Sequence, residues 1–422
     1  MREMKDSGIE WVGAIPATWK IHPLYYYFSE RKCKNTLGKE NNLLSLSYGR
    51  VIRKDINTVD GLLPENYNGY NIIEKDDIVL RLTDLQNDKR SLRTGLVREH
   101  GIITSAYTTI KANRELVPEF FQYLLHSYDV MKVLYNMGSG VRQGLNFSEL
   151  SKMPLISPDM LEQKKIADFL DTKCSEIDAI SADIQKEIET LEQYKRSVIT
   201  EAVTKGLNPD VKMESVNIQY IVKKPSNWGI LRLKYVLTEQ KARTMTGAED
   251  LLSVSQYKGV ILATDNIMRT MQAASLKGYR IVHIGDLVFN KLNPGLARFG
   301  ASDYNGITSP DYAVYKANPR IAYAKYLEYI LTTERYVSEY KRQSTGVGDG
   351  FSRLYTYQLY EIKVALPPID EQKEIIDYLQ SICYKIETAI QEKKKQVDIL
   401  NAYKKSLIYE YVTGKKEVPN EQ

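Results

Sequence analysis

Two short segments place an acidic residue just before a basic one, a combination found in metal-dependent nucleases. They are Asp77 with Arg81 and Asp286 with Lys291. Neither pair has a third acidic residue spaced to complete a metal site, and such motifs need confirming geometry. The pairs alone do not indicate a nuclease.

The string closest to the (Asn/Asp)-Pro-Pro-aromatic motif of amine methyltransferases is Leu292-Asn293-Pro294-Gly295, which lacks the second proline and the aromatic residue. No glycine-rich dinucleotide motif follows a strand, and no GxxxxGK(S/T) phosphate loop occurs. The strings Gly138-Ser-Gly140 and Gly346-Val-Gly348 precede Gly144 and Gly350 at equivalent places. They predict a shared tight loop rather than a nucleotide cradle.

Metal and disulfide chemistry is also poorly supported. The sequence has three cysteines and four histidines, with no CxxC or HExxH spacing. We therefore expect neither a zinc site nor a disulfide framework.

Composition indicates a soluble globular protein of two to three domains: 422 residues, 43% hydrophobic and 26% charged. The N-terminus lacks the apolar run of a signal peptide, and no stretch approaches the roughly 20 apolar residues of a membrane span. We expect a cytoplasmic protein that does not enter a membrane. The net charge of +5 permits nucleic-acid binding without requiring it. Tyrosine (31) greatly exceeds phenylalanine (8), which suits either an interface or a tyrosine-rich core.

The chain contains one internal duplication. Five strings recur at a constant spacing of 209 residues: Pro16-Ala-Thr-Trp19 with Pro225-Ser-Asn-Trp228, Gly69-Tyr70 with Gly278-Tyr279, Glu162-Gln163-Lys164 with Glu371-Gln372-Lys373, Tyr194-Lys195 with Tyr403-Lys404, and Val203-Thr204 with Val412-Thr413. Repeats at a fixed spacing indicate repeated architecture. The duplication therefore predicts the same two-part structure in each half.

The first part of each half is mixed α/β. The apolar runs after Asp77 and Asp286 predict buried strands, and Val117–Met137 and Ala324–Arg342 show helical spacing. The second part is a long helix with apolar residues at steps of seven, the pattern of a coiled coil. In the first helix these are Leu170, Ile177, Ile184, Leu191 and Val198, with Ile166, Ile180 and Tyr194 at the companion position; in the second they are Leu379, Ile386, Leu400 and Leu407, with Ile375, Ile382, Ala389 and Tyr403.

The helix ends follow from capping residues. Asp159 and Asp370 are placed as N-caps, and Gly206 and Gly414 as the far ends. Because domain termini usually lie close together, the two helices are expected to run antiparallel, with a pseudo-two-fold axis near residues 182 and 391. Cys174 and Cys383 would then lie roughly 24 Å apart, and we expect no disulfide between them. Each helix packing only on its own globular module is the alternative.

These features resemble the specificity (S) subunits of type I restriction–modification systems. The resemblance rests on the helix starts Asp159-Met-Leu-Glu162-Gln163 and Pro368-Ile-Asp370-Glu371-Gln372, the Tyr-Lys-x-Ser strings near the helix ends, and the Pro-x-x-Trp strings that open the modules. The first helix departs from the pattern at Met160-Leu161, where it lacks the proline that precedes the second.

The resemblance implies an α+β protein in which two mixed α/β target-recognition domains are joined by two long helices forming an antiparallel coiled coil. The expected limits are 1–157 and 207–367 for the recognition domains, 158–206 and 368–414 for the spacer helices, and 415–422 for a flexible tail. The family further implies a non-catalytic chain that reads a bipartite, asymmetric site in double-stranded DNA. It would bind no cofactor itself. Two modification (M) subunits, which carry S-adenosylmethionine and methylate adenine, and restriction (R) subunits would dock on it.

Candidate DNA-reading residues have side chains that can contact phosphates or base edges and lie at matching places in the two halves. In the first half they are Ser47, Tyr48, Arg81, Thr83, Lys89, Arg90, Arg142 and Gln143, and in the second half they are Ser255, Gln256, Tyr257, Asn290, Lys291, Asn293, Arg298 and Arg353. Their identities differ between the halves, as two different half-sites require. Solvated surface charge is the alternative for each one.

Two other functions stay open on the sequence. One is a self-sufficient DNA methyltransferase or nuclease, which the missing motifs disfavour. The other is a coiled-coil scaffold without a DNA role.

Overall fold

The computed structural model describes residues 2–57, 66–85, 92–137, 144–255, 259–263, 275–346 and 352–419. The chain divides into two compact units. Unit 1 comprises residues 1–185 and 395–422, and unit 2 comprises residues 186–394. Each unit therefore contains the start of one long helix and the end of the other.

Unit 1 contains the elements that come before the first long helix, the start of that helix and the end of the second long helix. Its strands are β1 (Met4–Asp6), β2 (Ala14–Pro16), β3 (Lys20–Pro23), β4 (Phe28–Glu30), β5 (Leu44–Ser47), β6 (Arg50–Arg53), β7 (Asn71–Ile73), β8 (Ile78–Leu80), β9 (Thr94–Leu96), β10 (Gly101–Ile103), β11 (Thr108–Ala112) and β12 (Pro154–Ser157). Its helices are α1 (Leu24–Tyr27), α2 (Pro118–Val130), a 3-10 turn (Val133–Asn136), α3 (Phe147–Leu150) and the first long helix, α4 (Met160–Lys205).

Unit 2 repeats this order. Its strands are β13 (Met213–Ile218), β14 (Ile221–Pro225), β15 (Gly229–Arg232), β16 (Leu237–Gln240), β17 (Leu252–Ser255), β18 (Gly259–Leu262), β19 (Arg280–Val282), β20 (Leu287–Asn290), β21 (Phe299–Ala301), β22 (Gly306–Thr308), β23 (Tyr312–Ala317), β24 (Thr345–Gly346), β25 (Ser352–Arg353) and β26 (Lys363–Leu366). Its helices are α5 (Leu233–Val236), α6 (Ala324–Leu331), α7 (Glu334–Gln343), α8 (Thr356–Glu361) and the second long helix, α9 (Ile369–Val412), with a 3-10 turn at Pro294–Leu296.

A four-stranded antiparallel sheet organises each unit, in the order β4-β11-β8-β9 in unit 1 and β16-β23-β20-β21 in unit 2. Strand β8 is buried on both faces: Ile78 and Leu80 join the main core with α2, and Val79 joins a second cluster with β5, β7 and β10. Alternate side chains of a strand point to opposite faces, so burial on both faces requires an unbroken apolar run. The predicted buried strands are confirmed.

The two segments with helical spacing are each broken. Helix α2 ends at Val130, and Lys132 then takes a left-handed conformation (φ 64°) before the 3-10 turn. The segment 324–342 divides into α6 and α7, because Thr332 and Thr333 leave the helix between them. Periodicity alone did not locate these breaks.

The start of the first long helix agrees with its predicted cap, and the start of the second does not. Asp159 Oδ1 accepts a hydrogen bond from Glu162 N at 2.9 Å, as an N-cap does. The equivalent position in the second helix is Pro368, whose carbonyl accepts the first helical bond from Gln372 N at 3.0 Å. Asp370 therefore lies inside the first turn, where its charge favours the helix through the macrodipole rather than as a cap.

Burial along the long helices follows the step of seven only in part. Leu170, Ile177, Leu379 and Ile386 are at most 6% exposed. Three companion positions, however, face solvent: Ile180, Tyr194 and Tyr403 are 49%, 51% and 56% exposed. Their assignment to a buried seam was wrong.

Within each unit, the helix start and the helix end run in opposite directions. In unit 1, the Phe169 ring contacts the Tyr411 ring at a centroid distance of 4.5 Å. Asp178, further along the first helix, pairs with Lys404, which comes earlier in the second helix, at 2.7 Å. In unit 2, Glu187 pairs with Lys393, and Lys195 pairs with Glu387.

The segment predicted to be a flexible tail is held in place where the structure describes it. Lys415 Nζ donates to Val12 O at 2.7 Å, and Val418 packs against the core of unit 1. These contacts correct the prediction for residues 415–419.

The recurring Trp and Glu residues join each module to its long helix. Trp19 Nε1 donates to Glu162 Oε2 at 3.0 Å, and Trp228 Nε1 donates to Glu371 Oε1 at 2.9 Å. In unit 2 the end of the first long helix also packs against Glu371, since a Cβ at Gly206 would lie 2.9 Å from Glu371 Oε1. Gly206 also has φ +77°, so this helix end requires glycine.

The glutamine after each of these glutamates is fully or nearly buried and bonds only to backbone or to a buried hydroxyl. Gln372, 0% exposed, donates to Ile321 O (2.9 Å) and Pro367 O (3.0 Å), and accepts from Tyr323 N (3.0 Å). Gln163 repeats the arrangement with Pro158 O and Val117 N in unit 1. One amide therefore ties together the last strand, the residue before a helix of the module, and the long helix.

We predict that Gln372→Leu lowers the free energy of unfolding of unit 2 by about 2–4 kcal/mol, because it leaves buried backbone groups unsatisfied. Denaturant unfolding of the full chain measures this. Gln391→Leu, at an exposed position of the same helix, is the matched control and should change stability by less than about 0.5 kcal/mol. Equal effects of the two variants would contradict the role of Gln372.

Candidate nucleic-acid interface

An exposed hairpin turn carries the first candidates of unit 1. Strands β5 and β6 pair from Leu44 with Arg53 to Ser47 with Arg50, so the turn residues are Tyr48 and Gly49. Both have positive φ (45° and 78°), the geometry of a two-residue type I′ turn. Tyr48 is 85% exposed although its backbone conformation is unusual for a residue with a Cβ. The turn thus presents an aromatic side chain to solvent.

A glycine lets this hairpin lie on the edge of the main sheet. A Cβ at Gly95 in β9 would lie 2.6 Å from Leu46 Cδ1 and 3.4 Å from Gly49 O. In unit 2, a Cβ at Gly300 in β21 would lie 2.8 Å from Gly259 Cα. Both units therefore place a hairpin directly over the strand that follows the buried central strand.

The loop after β8 is organised by a buried arginine. The Arg93 side chain donates to the carbonyl oxygens of Arg81 (3.1 Å), Thr83 (2.7 Å) and Asp84 (3.0 Å). Its own backbone N donates to the Asp129 carboxylate at 2.7 Å. Arg81 is half-buried and Thr83 is exposed, so their side chains are presented by a loop whose backbone Arg93 fixes.

Sequence reasoning missed Arg93. Arginine 93 follows Lys89 and Arg90 in a short basic stretch, and residue type alone does not separate a buried organiser from surface charge. Its 0% exposure is a property of the fold.

An ion-pair chain connects the hairpin of unit 1 to the long helices. Arg50 pairs with Asp178 at 2.7 Å, and Asp178 also accepts from Lys404. A cavity of about 710 Å³ lies beside these ion pairs, and its lining includes Tyr48, His126 and Cys174. The turn is thereby held relative to the helix surface of the same unit.

In unit 2, several candidates surround the end of β20. Asn290 is buried, and its Oδ1 accepts from Leu292 N at 2.9 Å, so it shapes the loop. Asn293 has a left-handed φ of 49°, and its N donates to Ser352 O at 2.8 Å. Arg298 accepts from Asn290 N through its carbonyl at 2.9 Å. Ser255 ends β17 and is half-buried.

Charged side chains from three strands or strand ends meet at this loop. Arg280 pairs with Glu239 at 3.1 Å, and Arg353 pairs with Asp311 at 3.5 Å. Burial, and then the positive charges of Arg280 and Arg353, lower the pKa of Lys291. Lys291 and Arg353, far apart in sequence, are thus brought together, and Arg280 is a third member that sequence reasoning missed.

Six of the sixteen candidates, Lys89, Arg90, Arg142, Gln143, Gln256 and Tyr257, lie outside the described residues. DNA contact by any of the sixteen stays a prediction. Within the described ranges, no group of three or more His, Cys, Asp or Glu residues is placed to hold a metal ion. None of the helices in those ranges combines the length and the apolar character that a bilayer span requires.

We predict that Arg93→Lys destabilises unit 1 by about 2–4 kcal/mol, because an ammonium cannot reach three carbonyls at once and leaves buried acceptors unsatisfied. Hydrogen exchange of the amides in residues 81–85 should accelerate. Arg98→Lys, at a side chain 57% exposed and paired with Glu119, is the control and should leave that exchange unchanged. Unaltered hydrogen exchange in Arg93→Lys would show that Arg93 does not organise this loop.

Known proteins are similar in sequence to this chain over most of its length. The chain is 25% identical over 345 residues to the type I restriction enzyme MjaVIII specificity subunit of Methanocaldococcus jannaschii, covering 76% of this chain and 75% of that protein. It is 21% identical to the type I restriction enzyme EcoDI specificity subunit of Escherichia coli, covering 63% of this chain and 62% of that protein.

The fold is also shared with a solved structure. A chain from a study of complex assembly and conformational transition of the type I R-M system superposes with a TM-score of 0.66 at 13% identity, covering 95% of this chain and 99% of that chain. The family model for the type I restriction modification DNA specificity domain matches residues 55–190 and 225–399. Because the two matches span most of the sequence, the chain belongs to the type I restriction modification DNA specificity family.

Proposed function

We propose that this chain reads a bipartite, asymmetric sequence in double-stranded DNA, with one half-site contacted by the globular part of each unit. One observation carries the proposal: equivalent backbone positions in the two units hold different side chains. Leu145 N donates to Leu82 O at 2.9 Å in unit 1, and Leu354 N donates to Lys291 O at 3.0 Å in unit 2. These bonds align Leu82 with Lys291, and with them Arg81 with Asn290.

This pattern suits sequence reading. Base edges are distinguished by the type and order of hydrogen-bond donors and acceptors, so a shared frame with different polar side chains selects different sequences. The exposed Tyr48 and the half-buried Arg81 provide such groups in unit 1. Phosphate contacts from lysine and arginine would position each unit without reading sequence.

The long helices are proposed to form an antiparallel coiled-coil spacer that sets the gap between the half-sites. The helices contain 46 and 44 residues, which at about 1.5 Å per residue is far longer than a module of this size needs for packing. The opposed helix segments within each unit support the antiparallel direction.

The partners are proposed to be two modification subunits, carrying S-adenosylmethionine, and restriction subunits. In unit 1 the large apolar side chains that the long helices expose include Ile180, Ile399 and Tyr403, at 49%, 67% and 56%. Ile399 and Tyr403 lie about one turn apart on the second helix. Apolar side chains exposed close together on a helical surface indicate protein contact. Catalysis would then lie in the partners, and this chain would supply the sequence specificity.

The main alternative is a self-sufficient DNA methyltransferase or nuclease. No specific observation favours it, since the Asn293-Pro294 string forms a 3-10 turn and Asp286 caps a β-turn by accepting from His283 N at 2.9 Å. The purified chain should neither bind S-adenosylmethionine nor cut DNA. Either activity would favour this alternative.

Methylome mapping of cells with and without this chain tests the proposal directly. We expect adenine methylation at one interrupted sequence, abolished by deletion of the gene and restored by the unchanged gene. The two methylated adenines should lie on opposite strands, one in each half-site. Identical methylation in both cells would contradict the proposed function.

A second prediction concerns the spacer. Duplicating one heptad in both helices, residues 184–190 and 391–397, adds about 10 Å of helix and should lengthen the preferred gap by whole base pairs, about three by rise alone. The half-site sequences should not change. A control duplication in the described loop around residues 207–212 should leave the gap as it was; an unchanged gap in the heptad variant would show that the helices are not the ruler.

A further inference from the structure

Three cationic side chains converge in unit 2 from separate parts of the chain. Arg280 begins β19, Lys291 follows β20 and Arg353 ends β25. Arg280 and Lys291 are only 8% and 9% exposed, and the side chain of Arg353 is 25% exposed. The group is therefore a partly enclosed cluster rather than scattered surface charge.

Within the part of the chain that the structure describes, the cluster carries more positive charge than its neighbours neutralise. Glu239 is paired with Arg280 and Asp311 with Arg353, at 3.1 and 3.5 Å. The Lys291 ammonium feels both carboxylates only at longer range and has no hydrogen bond to the described residues. Among the described residues, three cations thus face two carboxylates.

Two guanidinium nitrogens in the cluster also lack acceptors. The Nε atoms of Arg280 and Arg353 are buried without a hydrogen-bond partner among the described residues. A buried donor without a partner costs free energy, and an uncompensated buried charge costs more. An anion with several acceptor oxygens would accept hydrogen bonds from these Nε donors and would also balance the positive charge.

The fold itself does not require these cations. The equivalent residues of unit 1 are Asn71, which begins β7, Leu82, and Gly144, which precedes the backbone bond from Leu145 N to Leu82 O. Unit 1 forms the same sheet with an amide, an apolar side chain and no side chain at these places. The cluster is therefore not repeated at the equivalent positions of unit 1, all three of which the structure describes.

We propose that Arg280, Lys291 and Arg353 form an anion site that binds a phosphate of the DNA backbone, an inference that rests on the proposed function of the chain. A phosphodiester carries the missing negative charge and offers oxygens in several directions to donors from three strands. A guanine edge would offer two acceptors in one plane and no charge, leaving the excess positive charge in place.

The test compares Lys291→Met with wild type in the full chain. Methionine keeps the buried apolar stem and removes the charge. Affinity for duplex DNA at low salt should fall on the order of tenfold, by the same factor for duplexes that differ only in the half-site sequences. The slope of log affinity against log salt should become shallower by about 0.9, the change expected when the protein neutralises one phosphate fewer.

Stability separates a binding role from a structural one. Because Lys291 is repelled by two arginines, Lys291→Met should leave the melting temperature unchanged or raise it. Lys316→Met, at an exposed position of β23, is the matched control and should change neither the salt slope nor the melting temperature. Arg353→Gln, at the more accessible end of the cluster, should repeat the uniform loss of affinity.

The outcomes are distinct. Failure of the wild-type chain to bind DNA would count against the proposed function. Wild-type binding with an unchanged slope in both Lys291→Met and Arg353→Gln would overturn the phosphate site alone. A loss of affinity confined to one half-site sequence would show that the cluster reads bases, and would overturn the inference. A lower melting temperature of Lys291→Met would show a structural role, and would overturn it as well.

Discussion

The architecture depends on one repeated junction, the hydrogen-bonded seat of each long helix on its module. The indole of Trp19 or Trp228 donates to a glutamate in the first helical turn, and the following glutamine, buried, satisfies backbone groups of the module. Each of these tryptophans is at most 2% exposed, so its indole N–H must find its acceptor within the protein, and the glutamate supplies it. A single amide that bonds three chain segments fixes the direction in which the helix leaves. Without that fixed direction, a long helix could not hold anything at a defined distance.

This junction explains why some strings recur in the sequence while others diverge. Glutamate and glutamine must recur because each bonds to backbone atoms or an indole, partners that do not vary when neighbouring side chains change. The loops after β8 and β20 need not share residue types. Arg93 donates to backbone carbonyls of the first loop, and the side-chain amide of Asn290 accepts from the backbone of the second. Two different solutions for shaping the same loop leave the exposed side chains free to differ. The proposed reading of two different half-sites would require this freedom.

Much of the frame was predictable because it depends on burial with a regular period. The strands after Asp77 and Asp286 are buried on both faces, and an unbroken apolar run carries that information locally. The long helices were predictable for the same reason. The seam between them was not, because a step of seven does not say which apolar residue faces a partner: Ile180 and Tyr403 fit the pattern and are exposed. Asp370 failed as a cap because the duplication aligns Asp159 with Pro368, a shift of two residues that residue type concealed.

The candidate site was predictable only as a set of loops. Polar residues at matching positions of the repeat pointed to the hairpin turn and to the end of the central strand, and the structure adds how those loops are held. Arg93 and Arg280 were missed for one reason: the environment of an arginine comes from residues distant in sequence, so surface charge, backbone organiser and ligand-binding group look alike. What distinguishes them is their acceptors. Arg93 donates to three carbonyls of one loop and stiffens it, whereas Arg280 donates to Gln240 O through Nη1 and its Nε has no acceptor among the described residues. A buried donor that the fold leaves unsatisfied lowers stability in the free protein, and a ligand that supplies the acceptor restores that free energy. The same residue type therefore stiffens a loop in unit 1 and, in the proposed phosphate site of unit 2, would donate to a ligand.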